Sequence, residues 1–273
     1  MTTTQHTHPV GSHAVSPKLE LRSVGIHFSL GSQNVEILRG VSLEVKQQQF
    51  VSIVGPSGSG KSTLFTIIGG VVQPTAGHVW LDGQDVTGHR GRISYMPQQD
   101  TLFPWRKVID NVTLAQEIAG VPRAVAREKA SEWLKRVGLS GYESVMPHQL
   151  SGGMRQRVSF LRALLSPQEL MCLDEPFGAL DALTRMEMQQ WLLRIWEENR
   201  RSVLFITHSI EEALVLSDRI YVLAGKPATI QAVIDVPFER PRTAGITSDG
   251  HFLALKHQIY SYLGMPSKND IRS

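Results

Sequence analysis

The sequence contains very little cysteine and no long apolar run. Cys172 is the single cysteine in 273 residues, which excludes a disulfide within the chain and is typical of a reducing compartment. No run approaches the roughly 18 apolar residues of a membrane-spanning helix, and residues 1–17 lack the apolar core of a secretory signal. The net charge of +3 is too small to favour nucleic acid, a membrane surface or a nucleotide as partner. With 41% hydrophobic residues, we expect an ordinary globular protein.

A glycine-rich stretch at residues 55–62 reads GPSGSGKS and matches the spacing of a phosphate-binding P-loop. Its glycines let the backbone turn tightly, so that successive N–H groups point at phosphate oxygens. Lys61 supplies a positive charge for the β- and γ-phosphates, and the Ser62 hydroxyl is a ligand suited to Mg²⁺. We therefore expect nucleotide contacts from Gly55, Pro56, Ser57, Gly58, Ser59, Gly60, Lys61, Ser62 and Thr63.

The segments on either side of this stretch are those that a P-loop requires. Residues 50–54 (FVSIV) have the β-branched and aromatic composition of a buried strand. After the loop, Leu64, Phe65 and Ile68 form one apolar helical face, and Gly69 marks its end. Such a helix directs the positive end of its dipole at the phosphates. The context therefore favours nucleotide binding over a simple glycine-rich turn.

Two further apolar runs end in residues that carry chemistry. Residues 170–173 (LMCL) lead into Asp174 and Glu175. Residues 202–207 (SVLFIT) lead into His208. Strands that alternate with helices around a P-loop predict an α/β fold with a mostly parallel sheet, whose ligands bind beyond the carboxyl ends of the strands. We expect Asp174 to hold Mg²⁺ and Glu175 to polarise a water for attack on the γ-phosphate.

Residues 150–156 (LSGGMRQ) resemble the signature motif of the ABC-transporter ATPases. In that family the motif opens a helix whose N-terminus binds the γ-phosphate of ATP on the P-loop of a second subunit. The resemblance implies that Ser151, Gly152 and Gly153 contact the ATP of a second copy in a head-to-tail dimer. It also implies the family's fold, a P-loop NTPase core with an N-terminal antiparallel β subdomain and an inserted α-helical subdomain that carries the signature motif.

The resemblance also implies a set of metal ligands. Gln98 is similar to the family's Q-loop glutamine, which touches Mg²⁺ and senses the transmembrane partner. Gln99 is the neighbouring alternative, and the spacing to the following proline and tryptophan favours Gln98. The implied Mg²⁺ ligands are therefore Ser62, Gln98 and Asp174.

Three further positions match the family pattern. His208 resembles the switch histidine that contacts the γ-phosphate, so the implied catalytic residues are Lys61, Glu175 and His208. Asp181 ends a segment, residues 178–181, that is similar to the D-loop at the dimer interface. Phe28 resembles the aromatic residue that stacks on adenine, with a core position as the alternative.

The chain is expected to consist of one ATPase domain with an extension at each end. We expect a flexible tail over residues 1–17, the ATPase domain over 18–240 with its helical subdomain at about 100–160, and an extension over 241–273 that contains a terminal helix. The resemblance covers roughly residues 18–240, nearly all of the expected folded chain.

Three stretches narrow the resemblance to one branch of the family. Residues 102–105 (LFPW), 150–158 (LSGGMRQRV) and 175–185 (EPFGALDALTR) are similar to importers of nitrate, sulfonates and taurine. The resemblance implies ATP hydrolysis at the cytoplasmic face of a bacterial inner membrane. The implied partners are transmembrane permease subunits and, indirectly, a periplasmic or lipid-anchored solute-binding protein, with no nucleic acid. Residues 103–106 are expected to receive a coupling helix of the permease.

Two other kinds of ATPase share motifs with the importers. An ABC ATPase of lipid trafficking or export shares the same motifs and differs only in its partners. A DNA-repair-type ATPase also pairs a P-loop with a signature motif, but it separates the two by long coiled coils. Residues 63–149 are too few for such an insertion and show no sustained heptads. The sequence therefore favours transport.

Overall fold

The computed structural model describes residues 16–31, 33–178, 180–242 and 244–264. Residues 1–15 of the expected tail and residues 265–273 of the expected extension lie outside the described residues. Ala179, within the segment similar to a D-loop, also lies outside them.

Ten strands form one continuous sheet within the described residues. In chain order they are β1 (Leu19–Leu30), β2 (Gln33–Val45), β3 (Phe50–Val54), β4 (Ala76–Leu81), β5 (Gln84–Asp85), β6 (Ser94–Met96), β7 (Leu170–Asp174), β8 (Ser202–Thr207), β9 (Arg219–Gly225) and β10 (Ala228–Asp235). Their order across the sheet is β5-β4-β1-β2-β10-β9-β3-β8-β7-β6.

Helices pack against this sheet. They are α1 (Lys61–Ile68), α2 (Val108–Val112), α3 (Leu114–Ile118), α4 (Arg123–Arg136), α5 (Gly152–Leu164), α6 (Ala182–Asn199), α7 (Ile210–Leu216) and α8 (Gly250–Tyr262). Short 3₁₀ turns lie at Pro147–Gln149 and Ala244–Ser248. Within the described part of the chain, none of the helices has the length and apolar character needed to cross a membrane.

The half of the sheet that carries the P-loop is parallel. Strands β6, β7, β8, β3 and β9 lie next to one another in that order, and each adjacent pair among them is parallel. Every residue of β3, β7 and β8 is buried, which is the pattern of strands covered on both faces. The other half is antiparallel, with β1 paired to both β2 and β4. The predicted α/β fold, with its parallel core and N-terminal antiparallel β subdomain, is confirmed.

The two halves join through strands that the sequence did not predict. Strand β10 pairs with β9 in antiparallel fashion and with β2 in parallel at Ala228 and Leu38. Strand β2 begins at Gln33, which pairs with Leu30 of β1.

An aromatic cluster packs the centre of the sheet against α6. The rings of Phe50 and Trp196 meet edge to face with centroids 5.6 Å apart, and Phe205 lies 5.8 Å from Phe50. The indole N–H of Trp196 donates to the carbonyl of Arg201 at 2.7 Å, so this buried polar group is paired. The cluster holds β3 and β8 side by side, and the P-loop and His208 follow at the carboxyl ends of these two strands.

The segment that contains the signature motif is helical. Helices α2 to α5 run from Val108 to Leu164, and Gly138, with φ of +74°, follows the end of α4. Leu134, Val158 and Leu161 are fully buried and join the same apolar core as the sheet. The signature helix α5 is therefore packed on the ATPase core and is not a separate module.

The terminal helix covers the far face of β9. Helix α8 buries Phe252 and Ile259 in a cluster with Ile220 and Ile234. Lys256 pairs with Glu211 of α7 at the edge of this contact. The terminal helix therefore covers an apolar face of the core.

Candidate active site

The P-loop turns from β3 into α1 through glycines that no other residue replaces without movement. A Cβ at Gly55 would lie 2.3 Å from the carbonyl oxygen of Leu223 in β9. Gly60 has φ of +84°, in the left-handed region, and precedes the first residue of α1. The loop is therefore pressed against the sheet, and the N-terminus of α1 opens towards the cavity above it.

Lys61 is buried in this loop and lies beside two carboxylates. Its ammonium group donates to the carbonyl oxygens of Gly55 and Pro56, each at 2.9 Å, and lies 3.8 Å from Oε1 of Glu175. Burial lowers the pKa of Lys61, and the charges of Glu175 and Asp174 oppose that effect. The lysine is held by weak neutral acceptors, which phosphate oxygens can replace.

Asp174 ends β7 with one oxygen paired and one free. Its Oδ2 accepts a hydrogen bond from the phenol of Tyr95 at 3.2 Å, while the buried Oδ1 has no hydrogen-bond partner among the described residues. Burial raises the pKa of Asp174, and the nearby Ser62 hydroxyl and Tyr95 oppose it. An unpaired buried carboxylate oxygen close to a hydroxyl is a donor set that suits Mg²⁺.

The donor atoms at this site suit a Mg²⁺ that is bound partly by the nucleotide, and they are too few for a metal bound by protein side chains alone. Within the described residues there is no group of three or more His, Cys, Asp or Glu that could hold a metal ion. Magnesium usually keeps several waters and takes one or two carboxylates together with substrate phosphates. The hydroxyl of Ser62 and the carboxylate of Asp174 are oxygen donors of the kind that such a Mg²⁺ takes from a protein.

The carboxylate of Glu175 contacts the side chains of Gln98, Lys61 and His208. Its Oε2 lies 3.1 Å from Nδ1 of His208 and accepts a hydrogen bond from the Gln98 amide at 3.2 Å. Its backbone N–H donates to Ile206 of β8 at 2.9 Å. Glu175 has φ of +43°, a left-handed conformation that costs about 1–3 kcal/mol in a residue other than glycine. Such strain is retained where the surrounding structure holds a side chain in a required position.

One cavity of about 470 Å³ brings half of the predicted site residues together. Phe28, 40% exposed, lies in its wall together with the P-loop, Gln98 and Glu175. The exposed ring does not belong to the core, so the core alternative for Phe28 is wrong. The lining residues are Phe28, Ile37, Ser57, Gly58, Gly60, Lys61, Ser62, Thr63, Gln98 and Glu175.

The predicted signature and D-loop residues are not part of that cavity. Ser151 caps α5 by accepting a hydrogen bond from the Met154 N–H at 3.3 Å, and a Cβ at Gly152 would meet nothing within 4 Å among the described residues. Gly152 lines a second cavity, of about 630 Å³, which Gln98 also lines. Asp181 caps α6, accepting from the N–H groups of Leu183 and Thr184, and the hydrogen bonds from Thr184 lower its pKa. In this chain the signature faces outwards.

Two polar residues of the site are not among those predicted from the sequence. Tyr95 reaches Asp174 because β6 and β7 pair in parallel, with Tyr95 opposite Cys172. Glu212 lies buried behind His208 and bonds the hydroxyl of Thr207. The tyrosine is placed by the register between two strands, and Glu212 is fixed by a contact with α6, so no short-range spacing in the sequence indicates either residue.

Taken together, the strand, glycine loop and helix, with an acidic pair at the end of a neighbouring parallel strand, define a P-loop nucleoside triphosphatase. The family model for ABC transporters matches residues 38–178 of the sequence. The chain therefore belongs to the ABC transporter family and is an ATP-binding, ATP-hydrolysing cassette of that family.

Curated relatives are similar over most of their length. An uncharacterized ABC transporter ATP-binding protein of Methanocaldococcus jannaschii is 44% identical over 225 residues, covering 82% of this chain and 84% of the relative. The nitrate import ATP-binding protein NrtD of Synechococcus elongatus is 42% identical over 249 residues, covering 87% and 91%. The aliphatic sulfonates import ATP-binding protein SsuB of Bacillus cereus is 36% identical over 247 residues, covering 90% and 97%.

A solved cassette has the same fold. The dimeric post-hydrolysis state of an ATP-binding cassette with bound ADP and phosphate superposes with a TM-score of 0.70 at 32% identity. The match covers 81% of this chain and all of the solved one. The predicted family, fold class and ATPase activity are confirmed, while the roles of single residues stay predictions.

We expect Lys61→Ala to weaken ATP binding by about ten- to a hundredfold, because a hydrogen bond to a charged group is worth roughly 1.5–3 kcal/mol. Titration of a fluorescent ATP analogue measures this affinity. Lys135→Ala, which removes the same charge from an exposed position on α4, is the matched control. Equal affinities of the two variants would contradict the phosphate role of Lys61.

Proposed function

We propose that this chain is the ATP-hydrolysing subunit of a bacterial ABC importer and powers uptake of a small anion or organosulfur solute of the nitrate, sulfonate or taurine type. Its motifs supply the ATPase chemistry, and the similarity to NrtD and SsuB, both named as import proteins, supports the direction of transport. The subunit acts at the cytoplasmic face of the inner membrane, bound to permease subunits that receive solute from a periplasmic or lipid-anchored binding protein.

The observation that carries the proposal is the separation of the P-loop from the signature. The P-loop cavity is open, and no donor from the N-terminus of α5 lines it. Gly152, at that N-terminus, lines the second cavity instead, where a Cβ built on it would meet nothing within 4 Å among the described residues. A second copy in head-to-tail orientation would supply Ser151, Gly152 and Gly153 to the first copy's ATP, as the dimeric assembly of the similar solved cassette supports.

The side chains of the cavity then have distinct roles. Phe28 stacks on the adenine, and the P-loop N–H groups with Lys61 hold the phosphates. Ser62 and Asp174, with Gln98 nearby, would hold a Mg²⁺ that arrives with the nucleotide, and the bound ion would supply positive charge to the phosphates. Gln98 contacts Glu175 directly, so it can report on the nucleotide as well as on the metal.

Glu175 and His208 act on the attacking water and on the γ-phosphate. The hydrogen bond between His208 and Glu175, at 3.1 Å, orients the carboxylate. Glu175 then accepts a proton from, or aligns, the water that attacks the γ-phosphate, and His208 holds the phosphate oxygens. The contact between Glu175 and Lys61 is long, 3.8 Å, and gives way when phosphates take the lysine.

The groove beside Trp105 suits a helix of the permease. Trp105 is 72% exposed although its ring lies 5.2 Å from that of Phe103, so local packing does not account for its position. The groove has a volume of about 610 Å³. Arg106 shapes its floor by donating to the Asp110 carbonyl and to Glu117, each at 3.1 Å. An exposed aromatic residue with a formed polar rim is typical of a protein interface.

The alternatives have less support. Export and lipid trafficking would use the same ATPase site, but the import relatives named above favour uptake. A DNA-repair-type ATPase needs a long coiled coil between the P-loop and the signature. The longest helix described there is α4, with 14 residues. The structure therefore leaves no place for such an arm within that segment.

We expect Glu175→Gln to bind ATP, to lose turnover by at least about a hundredfold, and to persist as a dimer when ATP is present, because removal of a general base costs roughly 10²–10⁴ in rate. Phosphate release and size-exclusion chromatography with and without ATP measure the two effects. Glu132→Gln, on the exposed face of α4, is the control. Undiminished turnover would overturn the assignment of Glu175.

The solute is tested by uptake in cells. A strain that lacks this chain is expected to lose uptake of labelled nitrate, an aliphatic sulfonate or taurine, and the wild-type chain but not Glu175→Gln is expected to restore it. The ATPase-deficient variant controls for expression of the protein. Unchanged uptake of all three solutes in the deletion strain would contradict the proposed substrate class.

A further inference from the structure

Glu212, in α7, is a buried carboxylate outside the motifs used so far. Only 8% of its side chain is exposed. Burial raises its pKa, and contacts with Thr207 and Arg185 oppose that effect. Burying a carboxylate is costly unless several partners hold it, so its contacts show what it is fixing in place.

The first set of contacts holds the loop that carries His208. The Thr207 hydroxyl donates to Oε2 of Glu212 at 2.5 Å and accepts from the Ser209 N–H at 3.0 Å. The Ser209 hydroxyl in turn accepts from the Glu212 N–H at 3.3 Å. His208 lies between Thr207 and Ser209, so the residues on both sides of it in the chain are hydrogen-bonded to Glu212.

The second set of contacts leads to the start of α6. Oε1 of Glu212 accepts from the Gln189 amide at 3.1 Å and lies 4.0 Å from Nε of Arg185. The same guanidinium donates through Nη2 to the carbonyl oxygen of Leu180 at 2.8 Å. Leu180 directly precedes Asp181, the residue that caps α6. One oxygen of Glu212 thus faces the histidine loop and the other faces α6.

We propose that Glu212 is a positioning residue that ties the His208 loop to the beginning of α6, and so to the segment expected at the dimer interface. The inference rests on the proposed contact between His208 and the γ-phosphate. A shift of Leu180 and Asp181 on dimer formation would move Arg185, and through Glu212 it would move the turn that aims His208. Completion of the dimer is thereby coupled to the orientation of His208 and Glu175.

The coupling depends on a group with two acceptor oxygens. A glutamine at this position has one acceptor and one donor, so it cannot accept from both Thr207 and Gln189. Thr207→Val breaks the same link from the other side with little change of shape, and it serves where Glu212→Gln folds poorly. Glu211→Gln is the matched control, because it removes the neighbouring charge, which pairs with Lys256 on α8.

The test is steady-state ATP hydrolysis with ATP binding measured in parallel. Glu212→Gln and Thr207→Val are each expected to lower kcat about tenfold or more with ATP affinity unchanged within about twofold. Glu211→Gln is expected to keep the wild-type kcat. A residue that matters only for folding would instead lower the fraction of active protein and leave kcat per bound ATP unchanged, which would overturn the inference.

A double variant separates the proposed role of Glu212 from the role of His208 itself. In His208→Ala, adding Glu212→Gln is expected to cause no further loss, because Glu212 acts through the histidine. A further tenfold loss in that background would overturn the inference and leave the role of His208 intact. If His208→Ala alone kept full turnover, both the proposed role of His208 and the inference would be wrong.

Discussion

The parallel pairing of β3, β8 and β7 is the constraint on which the site depends. These strands lie side by side with every residue buried, so their carboxyl ends are fixed at one edge of the sheet. The P-loop, Asp174 and His208 follow from those three ends. Glu175 bonds β8 through its own backbone and takes a strained conformation to face all of them. Rigid strands thus supply the precision that the chemistry requires.

In the proposed head-to-tail dimer, the site that these strands form is one half of a larger one. The P-loop cavity contains the groups proposed to hold the phosphates and to activate the attacking water, while the residues of the signature motif do not line it. Gln98 lines both cavities, and two residues further on Asp100 pairs with Arg155 of the signature helix at 2.8 Å. Glu212 forms a comparable link from His208 to α6. The chain therefore connects each half-site to the surface that would complete a second copy.

Short sequence patterns predicted those strands and loops whose structure depends on neighbouring residues in the chain. The bounds of β3 and β8 follow from apolar β-branched runs, and the glycine motif follows from the backbone that phosphate binding needs. Strands β9 and β10 were missed because no motif marks them and their position depends on long-range pairing. The contacts of Tyr95 and Glu212 were missed for the same reason, since each joins elements far apart in the chain.

The most direct test of the two-copy site mixes two inactive variants. Lys61→Ala disables the P-loop, and Gly152→Asp places a negative charge at the signature in space that the structure leaves free. A head-to-tail dimer of one chain of each retains one complete site, so an equal mixture is expected to recover up to about a quarter of the wild-type ATPase rate. A mixture no more active than the sum of the separate variants would contradict the two-copy site.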